Sequence, residues 1–356
     1  MLYTPFYDPK KSYQDNFDTG PFGDFSNSET ITREGEPTQT FLDRPVYLPF
    51  GIPAGPLVNS KYVKAAFEKG FDINVYKTVR TRKYDCHPWP NIVGVEVEGD
   101  LTLEKADGQL VGEPSYKEPL SITNSFGVPS PDPDWWQVDM HTAVESAGKG
   151  QVMIASFQGT KAGDGNVEAF IQDYVLGARL VKETGAKILE ANLSCPNEGT
   201  ADLLCFDTTT VQRIAEAIKN EIGDTPLLLK LAYFKDNDHL KDYLTKIAPL
   251  VDGFSVINTI PSTIVDSKGN QALPGEGRAR SGVCGAAIKW AGLEMVERMA
   301  KLRDQLELDF AIVGVGGVTQ AEDYFEYQKA GSDCVMSATG AMWNPYLAQQ
   351  IAQANN

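Results

Sequence analysis

The most reactive side chains of this sequence gather in one octapeptide, Glu190-Ala191-Asn192-Leu193-Ser194-Cys195-Pro196-Asn197. The apolar run Lys187-Ile188-Leu189 leads into it as a buried strand. Two carboxamides then bracket one thiol, and a proline fixes the turn between them. A carboxamide offers a donor and an acceptor together, which suits an imide-like ligand that alternates C=O and N–H. A cysteine held among such groups serves as nucleophile or as general acid/base. Alone at a strand end it reads as a packed core residue, but the Asn-x-x-Cys-Pro-Asn frame turns the reading toward chemistry.

Positioning such a cluster requires a scaffold, and the chain spells one by alternating short β-type runs with helical patterns. Eight strands are expected: Leu48 to Ala54, Ile73 to Thr78, Val152 to Phe157, Ile188 to Ser194, Leu227 to Ala232, Phe254 to Thr259, Phe310 to Val315 and Cys334 to Thr339. A helix predicted from Val167 to Lys182 places Phe170, Ile171, Tyr174, Val175 and Ala178 on one face. Another starts after a capping run, Thr208-Thr209-Thr210, and carries Val211, Ile214, Ala215 and Ile218. Eight such units make an α/β TIM (β/α)8 barrel the expected fold, with an open doubly wound sheet as the second choice. Residues 1–40, rich in Asp, Gly, Ser, Pro and Phe, read as an irregular extension on the body, and 41–356 as the barrel. About 70 residues part the second and third strands, far more than a βα connection needs. This insertion at about 79–150 is expected to form a small-sheet subdomain over the catalytic face, where barrel insertions belong.

In a barrel the C-terminal strand ends share one mouth. Here those ends carry Ala54-Gly55, Lys77-Thr78, Gln158, Asn192 to Asn197, Lys230, Asn258-Thr259, Gly314 to Gly317 and Ala338-Thr339-Gly340. A mouth of lysines and carboxamides on an acidic protein suits an anionic ligand. Gly316-Gly317 after the seventh strand, with Ala338-Thr339 after the eighth, match the phosphate position of many barrels, where backbone N–H groups approach the anion closely. No GxGxxG is present, so a nicotinamide Rossmann site is not supported. Lys77 and Lys230, set inward beside that position, favour an electron-rich cofactor ring. Flavin mononucleotide (FMN) meets these demands together.

Composition limits the alternatives. The 356 residues are 42% hydrophobic and 22% charged, an ordinary globule, and the formal charge is −16. That balance argues against nucleic acid and against anionic membrane surfaces. Five scattered cysteines form no CxxC pair, and three histidines form no HExxH, so neither disulfides nor a metal are expected. No apolar run approaches 18 residues and no signal-type N-terminus is seen, so a cytoplasmic protein without membrane contact is expected.

With these residues in hand, the chain resembles the dihydroorotate dehydrogenase family over roughly 45 to 350. Asn192-Leu193-Ser194-Cys195-Pro196-Asn197 is similar to the family's catalytic loop and Lys77-Thr78 to its second-strand pair. Asn124-Ser125-Phe126-Gly127-Val128-Pro129 is similar to its substrate loop. The resemblance implies FMN-dependent oxidation of (S)-dihydroorotate to orotate in pyrimidine biosynthesis. It makes Cys195 the base that takes the C5 proton while hydride passes from C6 to the flavin. It assigns the substrate to Lys77, Asn124, Phe126, Gly127, Val128, Asn192, Asn197, Asn258 and Thr259. The flavin falls to Ala54, Gly55, Lys77, Thr78, Asn192, Lys230, Asn258, Gly282, Gly316, Gly317, Ala338 and Thr339. Cysteine at the base position resembles the soluble class 1 enzymes, which implies a homodimer. The related dihydropyrimidine dehydrogenases typically follow the Cys-Pro with histidine, and Asn197 here favours orotate over uracil.

Two other functions stay open at this stage: a flavin reductase of another cyclic amide, and a flavin-binding subunit that passes electrons to a partner. The electron acceptor also stays open between fumarate, NAD through a partner subunit, quinone and oxygen. No cysteine cluster here could hold an iron–sulfur centre, so such a centre would belong to another chain.

Overall fold

The fold is seen in a computed structural model that describes residues 2–27, 29–161, 163, 165–194 and 203–355. Eight parallel strands close into a barrel in chain order: Phe50–Ile52, Ile73–Val79, Val152–Phe157, Ile188–Asn192, Leu227–Leu231, Gly253–Val256, Ala311–Val315 and Cys334–Met336. Each expected strand is found, several shortened at their ends. Closure is direct, since the eighth strand pairs with the first through Val335 with Phe50 and Met336 with Gly51. The open doubly wound sheet is thereby excluded. Buried on both faces, these strands read as near-continuous apolar runs, as parallel strands must.

The outer helices present one apolar stripe each to the barrel. Val167–Glu183 buries Phe170, Ile171, Tyr174, Ala178 and Val181, close to the expected span. Thr208–Ile222 buries Val211, Ile214, Ala215, Ile218 and Ile222. Its cap differs from expectation: Asp207 accepts from the Thr210 N–H, and Thr208 is already helical. A carboxylate at this place also opposes the positive helix end.

The insertion differs more. Its strands Ile92–Val95, Gln109–Glu113 and Ser121–Asn124 do not close alone. Ile260–Val265 and Arg280–Gly285, from the connection after the sixth barrel strand, complete a second closed five-stranded sheet with them. Asn124 faces Gly282 in this register, and Thr263 faces Gln109. The alternating burial along Ile260–Val265 is the period-two signal of a half-buried strand. The expected sixth strand ends at Thr259, and the stretch after it is assigned to no element.

The N-terminal stretch, expected to be irregular, contains the helix Tyr13–Thr19 with a Ser12/Asp15 capping box. Phe6, Tyr7, Asn16 and Phe25 are buried. The hairpin Gln39–Phe41 and Arg44–Val46 follows, its turn residues Leu42 and Asp43 at φ +47 and +60. Its Phe41 and Val46 pack with Ile73, Val152, Ile188 and Leu228, stoppering the barrel interior at the strand starts. Each such buried side chain contributes about 1.5–3 kcal/mol.

Candidate active site

At the opposite end of the barrel one cavity collects residues from seven of the eight strand ends the sequence singled out. Gln158, at the end of the third strand, is buried behind it and accepts from Asn192 Nδ2 at 2.7 Å. Ala54, Gly55, Lys77, Thr78, Asn192, Lys230, Asn258, Thr259, Ala338 and Thr339 line it from the barrel, while Asn124, Phe126, Gly127, Val128 and Gly282 line it from the second sheet. Gly316 and Gly317 are not among the lining residues. They turn the chain after the seventh strand at φ +133 and +70, a conformation glycine takes freely, and the neighbouring Val315 reaches the cavity instead. Cys195 and Asn197 lie outside the described residues. The chain is nevertheless fixed at their doorstep. Asn258 Nδ2 donates to Ser194 O at 3.1 Å and to Ser194 Oγ at 3.0 Å, and Asn192 Oδ1 accepts from the Ser194 N–H at 3.3 Å. Two carboxamides thus hold the residue before the expected base.

Charge in the cavity comes from two buried lysines. Lys77 Nζ stands 5.9 Å from the centre of the Phe126 ring, a cation–π contact. Lys230 lies opposite Asn192 in strand register, and its Nζ donates to Ser255 Oγ at 3.2 Å. Burial lowers the pKa of Lys230, opposed by Glu190. Glu190 is 1% exposed, and neither of its carboxylate oxygens has a hydrogen-bond partner. Burial raises its pKa, against Lys230 and the nearby Ser156 and Ser255 hydroxyls. Among the described residues no carboxylate lines the cavity, and that of Glu190 lies below it in the barrel interior.

The loop after Asn124 is held from behind by two arginines that the sequence analysis passed over. Arg278 donates from Nε to Ser125 Oγ at 3.0 Å and from Nη2 to Ser125 O at 2.7 Å. Arg80 donates from Nε to Val128 O at 3.1 Å and from Nη2 to Gly127 O at 3.3 Å. Such charge-assisted bonds fix a loop whose Gly127 and Val128 both take positive φ, +77 and +54. Asn124 itself donates from Nδ2 to Cys284 Sγ at 3.5 Å. Cys284 lines the cavity, and burial pushes its thiol up, so it stays protonated. Cys284, Tyr7, Tyr13 and Met342 are lining residues that spacing did not reveal. The two tyrosines come from a segment without periodicity, where only their aromatic density was a hint.

The lining fits a flat, electron-rich ring. Gly55 takes φ +143, and no protein atom stands within 4 Å of where its Cβ would be, so the space beside it is open to a ring. Lys230, buried with one hydroxyl partner, has donor capacity left for an anionic ring edge. Among the described residues no cluster of three His, Cys, Asp or Glu could hold a metal ion, and no helix is long and apolar enough to cross a membrane.

Comparison with known proteins follows the same lines. The family model described as "Dihydroorotate dehydrogenase" matches residues 40–354. The dihydroorotate dehydrogenase of Dictyostelium discoideum is 32% identical over 360 residues, covering 97% of this chain and 96% of that protein. The catalytic subunit of dihydroorotate dehydrogenase B (NAD(+)) from Desulforamulus reducens is 30% identical over 184 residues, 50% of this chain and 56% of that subunit. Among solved structures, that of Eimeria tenella DHODH in complex with ferulenol superposes with a TM-score of 0.68. It shares 18% identity over 88% of this chain and 81% of that one, a likeness of fold.

Proposed function

This chain belongs to the dihydroorotate dehydrogenase family, and on that premise we propose that it oxidises (S)-dihydroorotate to orotate in pyrimidine biosynthesis. The observation that carries the reading is convergence. Lys77, Asn124, Asn192, Lys230 and Asn258 come from five separate strands or strand ends and line one cavity. Carboxamides match the alternating C=O and N–H of the pyrimidine ring, and the lysines match its carboxylate and an anionic cofactor ring.

The family is flavin-dependent, and FMN is the form proposed here, accepting hydride from C6 of the substrate when bound. Ala54, Gly55, Thr78, Lys230, Gly282, Ala338 and Thr339 would hold it, with Gly316 and Gly317 as backbone donors to its phosphate. Asn124, Asn192, Asn197 and Asn258 orient the pyrimidine, with Phe126, Gly127, Val128 and Thr259 closing around it and Lys77 balancing charge. Each positioned amide contributes about 1 kcal/mol net. Cys195 takes the C5 proton, and Ser194, pinned between Asn192 and Asn258, sets where its chain begins. A homodimer in the cytoplasm completes the proposal.

The test is direct. Purified protein should be yellow and should bleach anaerobically on adding dihydroorotate, with orotate as product. Bleaching by a different cyclic amide alone would move the activity to that substrate. A yellow protein reduced only by a protein partner would make it an electron-transfer subunit.

A further inference from the structure

The barrel closes without residues 2–27, yet this segment delivers Tyr7 to the cavity wall. Tyr7 is 3% exposed, and its hydroxyl is fully buried without a hydrogen-bond partner. Buried hydroxyls are almost always paired, and an unpaired one on a residue that lines a cavity marks a group whose partner arrives with a ligand. Chance draping does not explain its position. The Phe6 N–H donates to Met342 O at 3.0 Å and the Phe22 N–H to Phe6 O at 3.0 Å. The Asp8 N–H donates to Asn16 Oδ1 at 2.7 Å, and the Tyr62 hydroxyl to Asn16 O at 2.8 Å. Residues on both sides of Tyr7 are therefore tied to the body.

The surroundings say what the partner is. The Tyr7 ring meets Phe126 edge-on, centroids 5.8 Å apart, and Lys77 Nζ stands over the same Phe126 ring. Tyr7 and Lys77 thus flank one residue of the loop that begins at Asn124. Burial, with Cys86, Tyr13, Tyr62 and Asp8 around it, raises the Tyr7 pKa far above its ordinary value, so the phenol is an O–H donor at any working pH. A phenol donor and an ammonium group that share one loop residue suit an anionic oxygen in the cavity they line. We propose that Tyr7 binds the substrate, its O–H donating to the carboxylate of dihydroorotate or orotate. This rests on the reading of the cavity as an orotate site.

The test is Tyr7→Phe, which keeps the ring and its packing, in the oxidised flavin-loaded protein. Spectral titration with orotate should show binding weakened about tenfold, the usual worth of one hydrogen bond to a charged acceptor. Flavin content should be unchanged. Uracil, which has the ring without the carboxylate, should compete equally in both proteins. The ligand-free variant should melt at or above the wild-type temperature, because an unpaired phenol has been removed, whereas the rise on adding orotate should shrink. An unaltered orotate constant would overturn the proposal, as would equal losses for orotate and uracil or a loss confined to flavin. Wild-type protein that holds flavin and binds no orotate would instead defeat the functional reading, and this inference with it.

Discussion

Lys230 and Asn192 stand opposite each other across the fifth and fourth barrel strands, and two residues before Asn192 lies the unpartnered carboxylate of Glu190. One register therefore brings a carboxamide and an ammonium group to the cavity and leaves a carboxylate buried beneath them. The ammonium group is the charge that opposes the effect of burial on the carboxylate.

Replacing Lys230 with Met should lower the reduction potential of the bound flavin, since a cation beside the ring favours its anionic reduced form. It should also strip Glu190 of its counter-charge. The Glu190 pKa is already raised by burial, and loss of Lys230 raises it further. A raised carboxyl contributes stability that is present at low pH and lost as pH rises through the folded-state value. Urea denaturation should therefore find the variant weakened more at pH 8 than at pH 5, and adding Glu190→Gln should abolish that difference. An even loss at both pH values would remove Glu190 from the account.

Cys195→Ser should leave flavin and orotate binding intact while slowing flavin reduction by dihydroorotate. A serine hydroxyl is a far weaker base than a thiolate, and the slowing should ease as pH rises. Stopped-flow reduction at wild-type rate would exclude Cys195 as the base.

Gly127→Ala tests the loop. At φ +77 an L-residue is strained by roughly 1–2 kcal/mol, and the added Cβ would strike the His87 imidazole. The loop must shift, so orotate affinity should fall about tenfold while the flavin spectrum and the melting temperature stay near wild type. Wild-type orotate binding would show that the loop shape is irrelevant to the ligand.

Asp72 supplies a pH dependence away from the site. Burial raises its pKa to about 6, against Arg33, Gln151 and the Leu48 N–H. The folded value exceeds the unfolded one, so its contribution is full below the ordinary carboxyl range and is lost as pH rises through about 6. The stability difference between wild type and Asp72→Asn should change by about 2 kcal/mol between pH 4 and pH 7. A constant difference across that range would mean that Asp72 titrates normally.

Much of this protein was legible before its tertiary structure. Parallel strands buried on both faces advertise themselves as apolar runs, and their ends carried Lys77, Asn192, Lys230 and Asn258 in chain order. Local chemistry is written locally, and a barrel maps chain order onto a ring. Sequence alone did not reveal the partnership of Ile260–Val265 and Arg280–Gly285 with strands some 150 residues earlier, because strand pairing is set by register across the fold. Nor did it separate the turn that Gly316 and Gly317 make from a phosphate cradle, since a turn glycine and a ligand-cradling glycine look alike. It could not set Tyr7 and Cys284 at the cavity or bury Glu190 beneath it. Their roles come from burial and from the absence or presence of a partner, and those properties exist only once distant segments have packed.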